Sequence, residues 1–323
     1  MSLQNLGDIV AGRYEVVSAL GAGGLGEVYL CQDAHSGTSV ALKRLKSTQD
    51  IPPAILEQTQ REARILSELK HRNIIRIYDF GMDSKGFYFA LEYVEGPSLS
   101  DVLRGSILDQ STFVKFAGQC LEGLGAAHRK GLLHLDIKPA NIMLHHFPGD
   151  EFTVKILDFG VAKLIEEVRH TGQDEETFGS IYYIAPEQLT QKPLDTRTDI
   201  YSLGHVFYQS LCGAIAFPEV KDMMALLQAH LYEAPVPLQQ YHPALDTELC
   251  EWVYWLMGKS PDDRPESAQA ALIELTKINL RLQKEQRPEE FFIPEPEPPP
   301  VSPEVPAVAK GGLLGRLFRR TAD

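Results

Sequence analysis

The spacing of apolar residues changes period once along this chain, and that change constrains the fold more than any single motif. Between Tyr14 and Leu45 apolar and polar residues alternate, interrupted by a glycine cluster at Gly21, Gly23, Gly24 and Gly26 and by a turn at His35-Ser36-Gly37. Such a pattern predicts an antiparallel meander of strands. Pro53–Leu69 then sets Ile55, Leu56, Thr59, Ala63, Leu66 and Leu69 near helical spacing. Ile74–Phe80 and Phe87–Tyr93 return to the strand pattern across a turn at Gly81–Gly86. From Leu99 onward the spacing is helical, with helices predicted over Ser111–Arg129, Asp199–Cys212, Met223–Leu231, Asp246–Met257 and Ser267–Gln283. Strands and helices segregated in this way predict an α+β chain of two unequal lobes joined near Glu92–Gly96. The first lobe, 14–94, is an antiparallel sheet with one main helix; the second, 97–284, is larger and mainly helical. Residues 1–13 precede the sheet as an N-terminal extension.

Length supports the division, because 323 residues exceed a typical single domain. Hydrophobic residues make up 44% of the chain, enough for a sizeable core. Lysine and arginine total 31 against 44 acidic residues, a net charge of −13 that argues against a phosphate-tracking nucleic-acid surface. Cys31, Cys120, Cys212 and Cys250 lie far apart with no metal-ligand spacing and read as free thiols in a reducing compartment. No stretch of about 18 apolar residues is present to span a bilayer, and no basic region leads into an apolar core as in a signal peptide. The expected location is the cytoplasm. Residues 285–309, rich in proline and glutamate, read as an extended linker. The last stretch, 310–323, carries Leu313, Leu314, Leu317 and Phe318 on one helical face beside Arg316, Arg319 and Arg320. It reads as an idle tail, a docking peptide for a partner protein, or a weak contact for an anionic membrane surface.

Gly21-Ala22-Gly23-Gly24-Leu25-Gly26 sits between two predicted strands. A dinucleotide fold needs a helix after the glycines, so this context disfavours one. A glycine-rich hairpin can instead lie over nucleotide phosphates, or be no more than a loose turn. Lys43 follows Val40-Ala41-Leu42 on the next strand, where an ammonium is costly to bury unless paired. Glu62 on the following helix is the natural partner, although each taken alone reads as an exposed side chain. In His134-Leu135-Asp136-Ile137-Lys138-Pro139-Ala140-Asn141, Asp136 can accept a hydroxyl proton, Lys138 can offset phosphoryl charge, and Asn141 offers an oxygen to a divalent metal. Asp158, in Asp158-Phe159-Gly160 at a strand end, supplies a hard oxygen suited to Mg²⁺.

In this order and on these elements the motifs resemble those of a serine/threonine protein kinase, most like the eukaryotic-type (Hanks-type) kinases of bacteria. The resemblance covers residues 14 to about 280 and includes Ala185-Pro186-Glu187, Asp199 and Arg264. It implies a bilobal protein-kinase-like fold and ATP, with Mg²⁺ or Mn²⁺, in the interlobe cleft. The nucleotide would lie among Gly21, Gly23, Gly26, Val28, Ala41, Lys43, Leu91, Glu92, Val94 and Met143, with Leu91 beside the base and backbone at Glu92 and Val94 bonding it. The metal would be held by Asn141 and Asp158, and the catalytic groups would be Asp136, Lys138, Lys43 and Glu62. Leu66, Ile77, His134 and Phe159 would stack into a column anchored by Asp199, and Glu187 would pair with Arg264. The implied substrates are protein serines and threonines. A scaffold without transfer activity and a small-molecule kinase are the alternatives.

Leu135 stands where the family usually has the arginine that binds a phosphate on the activation segment. Activity is therefore expected not to depend on phosphorylation there. Asp174-Glu175-Glu176, beside Thr171 and Thr177, would repel an added phosphate. Ser180 replaces a common threonine but keeps the hydroxyl that would meet Asp136 and Lys138.

Overall fold

The structure is a computed structural model that describes residues 4–22, 26–45, 53–148, 151–159, 179–220 and 222–286. The chain divides into a unit of residues 1–283 and a remainder, of which residues 284–286 are described. Gly23, Gly160, Thr171, Thr177, the acids at 174–176, nearly all of the 285–309 linker and the 310–323 tail lie outside the described residues.

The sheet lobe is six antiparallel strands: β1 (Ile9–Val10), β2 (Tyr14–Ala22), β3 (Gly26–Asp33), β4 (Ser39–Leu45), β5 (Ile77–Asp83) and β6 (Gly86–Glu92). Their order across the sheet is β1-β2-β3-β4-β6-β5. The helix α1 (Pro53–Glu68) packs on β5 and buries Ala63 and Leu66. The second lobe begins with α2 (Leu99–Leu103) and α3 (Gln110–His128), then a short hairpin of β7 (Ile142–His145) and β8 (Thr153–Ile156). It continues with α4 (Pro186–Leu189), α5 (Thr196–Cys212), α6 (Met223–Tyr232), α7 (Leu238–Tyr241), α8 (Thr247–Leu256) and α9 (Ala268–Gln286). Aspartates start several of these helices, since a short carboxylate satisfies the first free amides. Asp109 caps α3, Asp195 caps α5, Asp222 caps α6 and Asp246 caps α8. Among the described residues no helix is long and apolar enough to cross a membrane.

Helix α5 is the axis of the larger lobe. Phe207 meets Phe113 and Phe116 of α3 edge-on at 5.5 and 5.8 Å and stacks with Trp252 of α8 at 5.6 Å. Each such aromatic pair adds about 0.5–1.5 kcal/mol beyond area burial. One apolar core runs from α1 and β5 through Phe159 into α3 and α5, so the lobes share packing. A second, smaller core covers the other face of the sheet.

Several boundaries differ from the sequence reading, among them the start of β5 at Ile77 rather than Ile74 and of α5 at Thr196 rather than Asp199, and two have a clear cause. The N-terminal extension contributes β1, because Ile9 and Val10 pair with Glu15 and Tyr14. Strand β5 runs through the expected turn to Asp83, and the reversal is confined to Ser84-Lys85. Arg44, fully buried on β4, fixes that end by gripping the Asp83 carboxylate at 2.6 and 2.7 Å and the Gly86 carbonyl at 3.0 Å.

Candidate active site

Between the lobes lies a cleft of about 630 Å³. Gly21, Gly26 and Val28 line it from the glycine hairpin, Lys43 from β4, and Asp136, Lys138, Asn141 and Asp158 from the segments flanking β7 and β8. The register explains the upper wall, since Val28 lies opposite Lys43 and Leu30 opposite Ala41. Ala41 in turn lies opposite Leu91, and Val40 opposite Glu92, where β6 ends and the connection between the lobes begins. Met143 on β7 bridges to Ser98, just beyond Val94 and the Gly96-Pro97 break. Of the residues expected around the base, Val28 lines this cleft, Leu91 borders a separate small cavity, and Ala41, Glu92, Val94 and Met143 do not line the cleft. The Glu92 carboxylate also pairs with Lys155 of β8 at 2.7 Å, which ties the connection to the larger lobe.

The loop carrying Asp136 is held from beneath. Asp199, wholly buried on α5, accepts from the amides of His134 at 2.8 Å and Leu135 at 2.7 Å, and bonds the His128 ring at 2.8 Å. Leu135 adopts φ 62°, a conformation costly for a leucine. Gln188 of α4 donates to its carbonyl at 3.1 Å, a support that no motif announced. The Asp136 carboxylate meets Lys138 at 2.9 Å, and Lys138 donates to Ser180 at 2.8 Å. Burial pushes the Asp136 carboxyl upward, but Lys138 and Ser180 outweigh burial and hold it below the usual aspartate range. At neutral pH it is a carboxylate ready to accept a proton.

One expected pairing is corrected. Lys43 pairs with Asp158, at 2.7 Å, and not with Glu62. Glu62 instead accepts from Gln58, one turn back on α1, at 3.2 Å. Burial lifts its carboxyl above the ordinary glutamate value, and the Gln58 amide offsets only part of the rise. The reason is proximity: a half-buried ammonium takes the carboxylate that reaches it, and α1 does not bring Glu62 within reach.

The column of apolar residues is assembled. Leu66, Ile77 and Phe159 border one small cavity with Leu91, and the Phe159 and His134 rings lie 4.8 Å apart. Asp158 holds φ 54° beside it.

The donor set suits Mg²⁺. Asn141 commits its amide nitrogen to Asp136, at 2.8 Å to the carbonyl and 3.0 Å to the carboxylate, which leaves the amide oxygen for a metal. Asp158 adds a carboxylate in the same cleft. One hard carboxylate and one amide oxygen, completed by phosphate and water, is how Mg²⁺ is usually taken up in phosphoryl-transfer sites.

Below the cleft, Glu187 and Arg264 form a bidentate pair at 2.7 and 2.9 Å, with both side chains buried. Burial raises the Glu187 carboxyl, and Arg264 more than reverses this.

Comparison with known proteins agrees with this arrangement. The protein kinase domain family matches residues 14–276. The serine/threonine-protein kinase pkn2 of Myxococcus xanthus is 36% identical over 264 residues, 80% of this chain and 32% of that protein. Serine/threonine-protein kinase A of Synechocystis is 34% identical over 288 residues, 85% of this chain and 54% of its own length. PknB of Mycobacterium leprae is 32% identical over 273 residues, 83% of this chain and 43% of that one. The chain therefore spans between a third and about half of these relatives' lengths. Among solved structures, a variant of the Mycobacterium tuberculosis PknI kinase domain superposes with a TM-score of 0.67 at 25% identity, covering 85% of this chain and 98% of that domain. By sequence and by fold, the chain belongs to the protein kinase family and stands among the bacterial serine/threonine kinases of the Hanks type.

Proposed function

We propose that the protein transfers the γ-phosphoryl group of ATP to serine or threonine hydroxyls of protein substrates, in a signalling role. The observation that carries this is the convergence of Lys43, Asp136, Lys138, Asn141 and Asp158 on one cleft roofed by the glycine hairpin. Asp136 orients the acceptor hydroxyl and takes its proton, while Lys138, held beside it, offsets charge on the moving phosphoryl group. With nucleotide and metal bound, Lys43 would exchange its pairing with Asp158 for phosphate oxygens, and Asp158 would be free to hold the metal. Mg²⁺, held by Asp158 and Asn141, would neutralise phosphate charge. The buried Glu187–Arg264 pair, which by family resemblance supports a protein-substrate platform, favours a protein over a small-molecule acceptor. A pure scaffold is disfavoured by the presence of every charged group the chemistry needs. The free cysteines Cys31, Cys120, Cys212 and Cys250 favour a reducing, cytoplasmic setting.

We further propose that activity does not require phosphorylation of the activation segment. Leu135 offers no cation to a phosphate, and the catalytic loop is already held by Asp199, Gln188 and the Lys138–Ser180 contact. Transfer of labelled phosphate from ATP to a serine/threonine peptide tests both points. The wild type should label the peptide and Asp158→Ala should not, and phosphatase treatment beforehand should leave the rate unchanged. Normal labelling by Asp158→Ala would refute the first point, and a large loss after phosphatase the second.

A further inference from the structure

The first residues of the chain precede the 14–276 span shared with the family, yet they are built into the sheet. Gln4 is buried, and its backbone N–H donates to the Tyr29 hydroxyl at 3.0 Å. Gly7 donates to the Val16 carbonyl at 2.9 Å, and Val16 returns a bond to the Asp8 carbonyl at 2.9 Å. Lys85, from the β5–β6 reversal, reaches over to Gln4 Oε1 at 3.1 Å and the Asp8 carboxylate at 2.8 Å. Val10 completes the second core with Val16, Tyr29, Cys31 and Tyr88.

This cover lies on the sheet face opposite the nucleotide cleft. Side chains alternate along β3, so Glu27, Tyr29 and Cys31 are buried on one face while Val28 lines the cleft from the other. The Tyr29 hydroxyl donates to the Glu27 carboxylate. Glu27 directly follows Gly26, whose backbone is pressed so closely on the Arg44 carbonyl that an added Cβ would sit 2.1 Å from it. The chain of contacts therefore runs from Gln4 through Tyr29 and Glu27 to two residues of β3 that line the cleft, Gly26 and Val28.

We propose that residues 4–12 form a positioning element for the nucleotide, acting through Tyr29 and Glu27 on the glycine-rich hairpin. Glycine-rich backbone loses more conformational entropy than other backbone when it is fixed. Holding the hairpin's outer face in advance removes part of that cost from binding. The inference rests on the ATP-dependent reading above.

The experiment measures Kd of the full chain for ATP with Mg²⁺ by calorimetry, KM for ATP and kcat on a neutral serine peptide, and thermal stability. Tyr29→Phe keeps the ring and loses only the hydroxyl. It should raise Kd and KM for ATP about 3–10-fold, the range expected from one or two hydrogen bonds, with kcat at saturating ATP unchanged. Glu27→Gln keeps an acceptor for Tyr29 and should stay within about twofold, whereas Glu27→Ala should match Tyr29→Phe. Removing residues 2–8 should produce the same shift and add little to Tyr29→Phe, as expected for groups in one network. Unchanged Kd and KM with a lowered Tm would overturn the proposal and leave the segment a structural cover. Loss of kcat at constant KM would overturn it as well. A wild type that binds ATP but labels no peptide, with the Kd for ATP still raised in the variants, would overturn the kinase reading and keep this one.

Discussion

The pair Glu187–Arg264 offers the sharpest energetic test of the fold. Both side chains are buried, at 2% and 0% exposure, and the guanidinium also donates to the carbonyls of Gly258 at 2.7 Å, Arg197 at 2.8 Å and Lys259 at 3.1 Å. Arg264→Met fills much of the volume but strands the Glu187 carboxylate. Breaking a buried pair from one side costs about 3–5 kcal/mol. With Tm falling about 2–4 °C per kcal/mol for domains of 150–250 residues, the variant should melt roughly 6–20 °C below the wild type at pH 7.5. Differential scanning calorimetry reads this directly. The pH dependence carries the causal claim. In the wild type Arg264 lowers the Glu187 carboxyl, so the pair stabilises the fold above the ordinary glutamate value of 4.5, and that contribution is lost as pH falls through the lowered value. In the variant, burial, which is the largest influence, is opposed only by the Thr198 side chain and the Glu187 backbone amide, so the carboxyl rises relative to the wild type and is protonated more readily in acid. The Tm gap should therefore narrow as pH falls toward 4.5, and Glu187→Gln with Arg264→Met should recover part of the loss at pH 7.5. A gap under about 2 °C at pH 7.5, or one that widens in acid, would refute the reasoning.

Other outcomes follow from the same contacts. His205 and His230, buried side by side with ring centroids 4.8 Å apart, are held below the ordinary histidine value of 6.5 by burial, His230 down to about 3. Because the unfolded chain binds these protons first, stability should fall as pH drops below 6.5, by up to about 1.4 kcal/mol per pH unit per histidine. Urea titrations across that range should show a shallower fall in the double variant His205→Phe/His230→Phe. Asp136→Asn keeps the size of the side chain and removes the base, so kcat should drop about 10²–10⁴-fold with little change in Tm. Gly26→Ala would force its Cβ onto the Arg44 carbonyl at 2.1 Å, whereas a Cβ at Gly21 meets nothing within 4 Å. Thermal melts and KM for ATP should show Gly26→Ala destabilised by about 1–3 kcal/mol and Gly21→Ala close to wild type in stability.

Much of this molecule was legible in its residues because the relevant information is local. The change of period near Gly96-Pro97 separates the sheet from the helices, and the helical spacing read over Ser111–Arg129, Met223–Leu231 and Asp246–Met257 lies close to the helices that form. The family resemblance implied Glu187 opposite Arg264 and Asp199 as an anchor, contacts that the fold makes at 2.7 and 2.8 Å. Less legible were the ends of β5 and the strand at Ile9–Val10. Each is set by a distant partner, Arg44 in one case and β2 in the other.

The pairing of Lys43 was beyond the reach of the sequence. Asp158 and Glu62 are both carboxylates at motif positions, and nothing in the order of residues ranks them. The choice falls to Asp158, 115 positions away, because a charge interaction is decided by ångströms and those depend on where α1 and β8 come to rest. The same holds for Glu92 with Lys155 and for Gln4 with Tyr29. Local patterning determined which groups the cleft contains, while only packing of the whole chain decided which of them touch.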